Sequence, residues 1–329
     1  METVSWSEIN AWCTCRMKWY WNYDVRIVKR RESLAPSLGS CGHAGLAAFF
    51  QGEDWEQAVM DWADQEIGKR MPIFDEQIEE IWQIARDMLG VLARYFKAYP
   101  YDNFEILEVE KKFSFPLPGY KNLNLIGYWD LIVKDETGAV WLMEHKFPKA
   151  QFRDEEQVEL DGQIGVYQYA ARKLGYPVVG TIYNQILAKL PSIPAQNKNG
   201  SMSRQKIKTD WETYRECLLE AGLDPTEYYD MKDKLADQEF FKRFPIYRGD
   251  TEIRLFARDF ERRVWDLKKK KGRHIYMSES MINCRGCSYK QLCLERIAGG
   301  DVKYLIEEEF MAKPKREEEF EDEQEVATE

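Results

Sequence analysis

Two carboxylates and a lysine stand on neighbouring segments, residues 123–133 and 139–147, that alternate like β-strands. Asp130 ends the motif Gly-Tyr-Trp-Asp, and Glu144 and Lys146 lie two residues apart on the second segment. Because strand residues two apart project from one face, Glu144 and Lys146 point the same way and His145 points the other way. Residues 135–138, Asp-Glu-Thr-Gly, predict a hairpin turn that brings Asp130 beside Glu144.

This set of side chains is typical of metal-assisted phosphodiester hydrolysis. Carboxylate oxygens are the ligands that Mg²⁺ and Mn²⁺ prefer, and such ions activate water and neutralise a phosphate. Lys146 can polarise the scissile phosphate or orient the attacking water. On an ordinary hairpin, the same residues would form only a charged outer face.

Residues from three other predicted elements can complete the site. His43 follows a glycine-rich start on an early helix, where a histidine can serve as a metal ligand or as a structural residue. Gln163 and Tyr167 are four residues apart on the helix predicted after the hairpin, so they share one helix face. Glu108 or Glu110, on the preceding strand, can add a carboxylate, although we expect both to be surface or structural residues.

A cysteine pattern divided between the two ends of the chain predicts a second metal site. Cys284, Cys287 and Cys293 form a C-x2-C-x5-C run, and Cys13 or Cys15 can provide a fourth thiol. Four thiolates bind an iron–sulfur cluster or structural zinc, but this spacing differs from the common zinc patterns. Such a site would close a loop of about 270 residues, and closing a long loop constrains the unfolded chain most.

The order of predicted elements indicates a mixed α/β fold. Helical periodicity covers residues 5–23, a segment starting at 39, and residues 54–70 and 76–98. Strands follow at 104–115, 123–133 and 139–147, then a helix at 155–174 and a strand at 178–187. After a loop at 190–209, we expect helices near 210–236 and 250–271.

In this order, the motifs resemble the PD-(D/E)XK nuclease superfamily, in its RecB-like branch that carries an iron–sulfur cluster. The family's order is a helical histidine, an aspartate after G-x-x, an E-x-K strand and a helix with Q-x3-Y. The matching residues are His43, Asp130, Glu144 with Lys146, and Gln163 with Tyr167. The family's N-terminal motif is matched by Ser5, Ser7, Ile9, Trp12, Cys15 and Trp19.

The resemblance implies an α/β, restriction-endonuclease-like mixed sheet core flanked by helices, with the termini joined by a [4Fe–4S] cluster. It implies catalytic roles for Asp130, Glu144, Lys146, Gln163 and Tyr167, and a Mg²⁺ or Mn²⁺ site at His43, Asp130 and Glu144. The implied cluster ligands are Cys15, Cys284, Cys287 and Cys293. Two departures are Arg16, where the family has proline, and Cys13, which remains an alternative ligand.

The predicted organisation is a single nuclease domain over residues 1–300, with a helical insertion at about 45–98 and the cysteine segment at 280–295. Residues 301–329 form an acidic tail, expected to be disordered from about Pro314. Most of the net charge of −10 lies in residues 307–329. The body is therefore almost neutral, and a basic cluster at 262–273 is either a phosphate-binding surface or a solvated helix end.

We expect a DNA exonuclease acting on single-stranded ends in recombination, repair or phage-type DNA processing. A catalytically idle DNA-binding or adaptor subunit on the same fold is the alternative. The expected partners are DNA and a helicase or recombination protein, with no membrane. The clustered cysteines and the lack of a signal-peptide pattern favour the cytoplasm, or the host cytoplasm for a phage protein.

Overall fold

A computed structural model describes residues 2–30, 34, 37–70, 75–100 and 103–313. In these ranges the strands are β1 Glu2–Ser5, β2 Ile27–Lys29, β3 Glu105–Pro116, β4 Leu123–Lys134, β5 Val140–Lys146, β6 Val178–Ile186, β7 Phe241–Tyr247 and β8 Phe310–Ala312. The helices are α1 Trp6–Thr14, α2 Arg16–Trp19, α3 Ser37–Gln51, α4 Trp55–Lys69, α5 Asp75–Ala98, α6 Glu155–Glu159, α7 Gly162–Lys173, α8 Trp211–Glu220, α9 Tyr229–Leu235, α10 Asp250–Lys270, α11 Met281–Arg285, α12 Lys290–Ala298 and α13 Val302–Glu309.

The predicted mixed α/β fold is confirmed. A six-stranded sheet has the order β1-β4-β5-β6-β7, and β3 pairs with β4. The β1–β4 and β5–β6 pairs are parallel, whereas β3–β4, β4–β5 and β6–β7 are antiparallel. The sequence pattern did not predict strands β1, β2, β7 and β8. Strands β1, β2 and β8 have too few residues for an alternating pattern to stand out. Strand β7 contains Pro245, a residue that counts against a strand in a sequence pattern.

Helices cover both faces of the sheet. Ile9 of α1, Val166 of α7 and Phe260 of α10 belong to one core with strand residues such as Leu125 and Leu142. Phe50 of α3 packs against a different set of strand residues, which includes Leu131 and Met143. A separate core joins α3, α4 and α5, which together occupy most of the predicted helical insertion.

Within the described residues, the N-terminal and C-terminal segments meet in a smaller core. Strand β2 pairs antiparallel with β8, and Phe310 stacks on Tyr289. The Tyr289 hydroxyl donates a hydrogen bond to the Ile27 carbonyl at 2.8 Å. Residues 302–312, which the predicted tail included, thus form α13 and β8, since apolar residues such as Phe310 are buried against the N-terminal segment. Residues from Pro314 onward, where disorder is expected, lie outside the described ranges.

Some predicted helices are interrupted. The helix expected at 5–23 breaks at Cys15, whose backbone is extended, and that at 155–174 breaks between α6 and α7, where Asp161 caps α7. None of the helices in the described ranges is long and apolar enough to cross a membrane.

Candidate active site

The candidate site lies beside β4, at the edge where the neighbouring strand changes from β1 to β5. Strand β3 pairs with β4 from Asn124 to Lys134, so β1 and β5 must share the other edge. There β1 pairs with residues 123–126 and β5 with residues 131–134. Residues 127–130 lie between these two ladders, and their side of β4 is open to a cleft.

Asp130 lies at the point where β4 and β5 separate. The backbone ladder ends at Leu131 and Met143, and beyond it the Asp130 carboxylate accepts a hydrogen bond of 2.6 Å from the His145 backbone N–H. The side chain thus replaces a backbone carbonyl as acceptor. Because the Asp130 side chain is almost fully buried, burial raises the pKa of its carboxyl, while His43 and Lys146 oppose that change.

The structure brings the other predicted catalytic residues into the same cleft. The cleft has a volume of about 280 Å³ and is lined by Asp130, Glu144, Lys146, Gln163, Tyr167, Ser5, Ser7, Ile126, Gly127 and Tyr128. The Glu144 carboxylate accepts hydrogen bonds from the Lys146 ammonium and from Gln163 Nε2, the latter at 3.0 Å. Helix α7 therefore holds Glu144 through Gln163, and Tyr167 lies one turn further along.

The buried charges alter one another's proton affinity. Burial and the nearby Asp130 raise the pKa of Glu144 to about 7. Burial works against a charged Lys146, but Glu144 and Asp130 outweigh it and raise the pKa of that ammonium. Lys146 therefore remains protonated at neutral pH, next to a carboxyl that can exchange a proton there.

His145 points away from this cleft, as the strand alternation predicts. Asn184 lies beside its ring, with Asn184 Nδ2 at 2.7 Å from Nδ1, and burial lowers the pKa of the imidazole. Phe50 stacks on the same ring at 5.9 Å between centroids. His145 is therefore a neutral core residue.

His43 contacts two carboxylates. Its Nδ1 lies 3.7 Å from Asp130 Oδ1 and 3.5 Å from Glu110 Oε1. Ligand atoms of His43, Glu110 and Asp130 lie within 4.8 Å of one another, which is close enough to share one metal ion. Burial lowers the pKa of His43, but Asp130 and Glu110 more than compensate and raise it to about 9.

Glu110 corrects the expectation that both acidic residues of β3 are surface or structural. Its backbone has φ of +44°, a left-handed conformation that is unfavourable for a residue with a Cβ. The register of β3 also shifts between Ile106 and Glu108. Neither irregularity can be read from alternation, which would place Glu108 and Glu110 alike. Glu108 instead accepts a 2.7 Å hydrogen bond from Tyr176 and pairs with Lys111.

The four cysteines predicted as cluster ligands line one cavity of about 230 Å³, next to apolar side chains such as Met277 and Leu294. Ser278 donates its backbone N–H to the Cys15 sulfur at 3.5 Å. Burial and the three other thiols raise the pKa of Cys293 to about 11. Cys13 is exposed and does not line the cavity.

The basic cluster at 262–273 is largely paired with acidic side chains. Lys268 and Lys271 contact Glu2, and Lys270 pairs with Asp266. Arg262 pairs with Asp259 one turn earlier on α10. This pairing favours the interpretation of a solvated helix end.

A family model described as the PD-(D/E)XK nuclease superfamily matches residues 3–294. Among solved structures, the crystal structure of SSO0001 is similar at 11% identity and a TM-score of 0.36, covering 89% of this chain and 85% of that chain. A comparison with curated proteins finds no match.

Proposed function

Because the chain belongs to the PD-(D/E)XK nuclease superfamily, we propose that it is a metal-dependent deoxyribonuclease. We further propose that it is an exonuclease acting on single-stranded ends, in recombination, repair or phage-type DNA processing. The observation that carries the proposal is the meeting of Asp130, Glu144 and Lys146 with Gln163 and Tyr167 in one cleft. An idle adaptor would not need this buried, mutually coupled set of charges.

The donor set around Asp130 fits a divalent ion. His43, Glu110 and Asp130 would hold it, and Glu144 lies across the same cleft. One nitrogen and several carboxylate oxygens suit Mn²⁺ or Mg²⁺. Such an ion, when bound, activates water and neutralises the phosphate.

The remaining residues of the cleft bind the phosphate and orient the Glu144 carboxylate. Lys146, which stays protonated, attracts the scissile phosphate and stabilises the charge that develops in the transition state. Gln163 fixes the Glu144 carboxylate by its 3.0 Å hydrogen bond. Tyr167 keeps its phenol proton at neutral pH because burial, followed by the Glu144 charge, raises its pKa, so its hydroxyl can donate to a phosphate oxygen.

We also propose that Cys15, Cys284, Cys287 and Cys293 bind a [4Fe–4S] cluster. The four thiols line one cavity of about 230 Å³, and four cysteine thiolates are the ligand set of such a cluster. Hydrolysis moves no electrons, so the role of this cluster is to hold the two ends of the chain together.

The test is cleavage of end-labelled single- and double-stranded DNA with Mn²⁺. We expect shortening from the ends of single strands, with the rate falling at least about 100-fold in Asp130→Asn, Glu144→Gln and Lys146→Ala. Glu220→Gln, an exposed carboxyl on α8, is the matched control and should cleave normally. Near-parental cleavage by Glu144→Gln would refute the site. Binding without any cleavage by the parent protein would favour the idle adaptor. We also propose that the protein acts in the cytoplasm and binds a helicase or recombination protein there.

A further inference from the structure

The active-site cleft continues along α1. A second cleft of about 320 Å³ shares Ser7 and Gln163 with the active-site cleft. At its other end it shares Thr14 and Lys18 with the cysteine cavity. The three clefts thus adjoin one another from the carboxylates to the cysteines, with α1 as a shared wall.

Unpaired polar side chains form that wall. Ser7, Asn10 and Thr14 are spaced by three and four residues, so they lie on one face of α1, and Lys18 continues the line on α2. The opposite face of α1 is buried through residues such as Ile9 and Trp12. Among the residues that the structure describes, these four polar side chains make no hydrogen bond or ion pair.

The chemistry of this wall suits a nucleic-acid backbone. Hydroxyl, amide and ammonium groups are typical donors to phosphate and sugar oxygens, and none of the described residues that line the second cleft carries a carboxylate. Trp6 and Tyr23, which also line it, are aromatic side chains of the kind on which unstacked bases pack. From Ser7 to Thr14 the helix rises about 10 Å, which spans about three nucleotides of one stacked strand.

We propose that Ser7, Asn10, Thr14 and Lys18, together the α1 track, bind the sugar-phosphate backbone of the single strand whose end is cleaved. This inference rests on the proposed nuclease function and adds a strand path to it. The strand would run from the carboxylates toward the cysteine cavity. Lys18 would neutralise one phosphate near the far end.

Binding is measured by fluorescence anisotropy with a labelled 20-nucleotide oligothymidylate, in the Glu144→Gln background to suppress cleavage. Adding Lys18→Glu should weaken binding at least fivefold and reduce the slope of log affinity against log salt by about 0.7. Adding Asn10→Ala, which changes no charge and lies away from the cysteines, should weaken binding at least twofold with no change in slope. The control Lys232→Glu makes the same charge change at an exposed residue of α9 and should bind like its parent.

Cleavage kinetics distinguish a role of the α1 track in strand binding from a role in the chemical step. With Glu144 intact, the kcat/KM for the oligonucleotide relative to that for the p-nitrophenyl ester of thymidine 5′-phosphate should fall at least fivefold in Lys18→Glu. Iron content and thermal midpoint report whether each variant is folded. Normal binding by both Lys18→Glu and Asn10→Ala would overturn the α1 track. Failure of the unmodified chain to cleave either substrate would instead refute the nuclease function.

Discussion

At the scale of single residues, the least predictable member of the site is Glu110. Its left-handed backbone costs of the order of 1–3 kcal/mol, and it turns the carboxylate toward His43, 3.5 Å away. Asp130, Glu144 and Lys146 could be predicted because motif spacing and strand alternation fix their direction. Glu110 could not, because a bulge and an unusual φ leave no mark in a pattern of alternating residues.

Glu110→Gln should weaken Mn²⁺ binding at least about tenfold, since it replaces a charged ligand by a neutral one. Glu108→Gln, two residues earlier on β3, should leave Mn²⁺ affinity unchanged, because Glu108 bonds Tyr176 and Lys111 instead. Isothermal titration of both variants against the parent makes the comparison. Equal losses of Mn²⁺ affinity in the two variants would show that the effect comes from the overall negative charge of β3.

His43 predicts a pH dependence of metal binding. The pKa of its imidazole is about 9 in the protein, and a histidine must lose its proton to ligate a metal. Mn²⁺ affinity should therefore rise with pH, about tenfold per unit between pH 7 and 8.5, with close to one proton released. His43→Gln should bind more weakly and show less of this dependence. If Mn²⁺ affinity depends on pH equally steeply in His43→Gln, a group other than His43 releases the proton.

At the scale of elements, close packing sets where His43 lies. A Cβ on Gly42 would come within 2.2 Å of the Phe147 ring, so α3 approaches the end of β5 only because residue 42 is glycine. The His43 ring also contacts Phe147, at 5.5 Å between centroids. The sequence pattern predicts a glycine-rich helix here, but not which glycine meets the sheet, because that depends on helix rotation and tertiary packing.

Gly42→Ala should destabilise the protein by about 1–3 kcal/mol through overpacking and weaken Mn²⁺ binding by moving α3. Gly39→Ala, on the same helix with open space around it, should stabilise by about 0.4–1 kcal/mol. Thermal unfolding and Mn²⁺ titration measure both effects. The double variant Gly42→Ala/Phe147→Leu should recover part of the loss; no recovery would argue against the contact with Phe147.

At the scale of the whole molecule, segments near the two ends of the described chain pack against each other in a core of their own. The cysteine spacing predicts that the ends meet, and the cavity bounded by Cys15 and the C-terminal cysteines agrees with that expectation. The β2–β8 pair that fastens the same ends was not predicted. Three-residue strands carry almost no periodic signal, and their pairing depends on contacts between residues far apart in sequence.

Cys15 and Cys13 provide the sharpest test of how the ends are held. Cys15 breaks the first helix and lines the cavity, whereas Cys13 is exposed outside it. We expect anaerobically purified protein to be brown, with about four irons per chain, and Cys13→Ala to match it.

Cys15→Ala should lose the colour and the iron, and its thermal midpoint should fall by about 10 °C, because a constraint across about 270 residues is released. Iron assays, visible absorbance and thermal unfolding of the two variants are compared under the same anaerobic conditions. Colourless protein with stoichiometric zinc would refute the cluster. Iron loss in Cys13→Ala with retention in Cys15→Ala would instead assign the fourth ligand to Cys13.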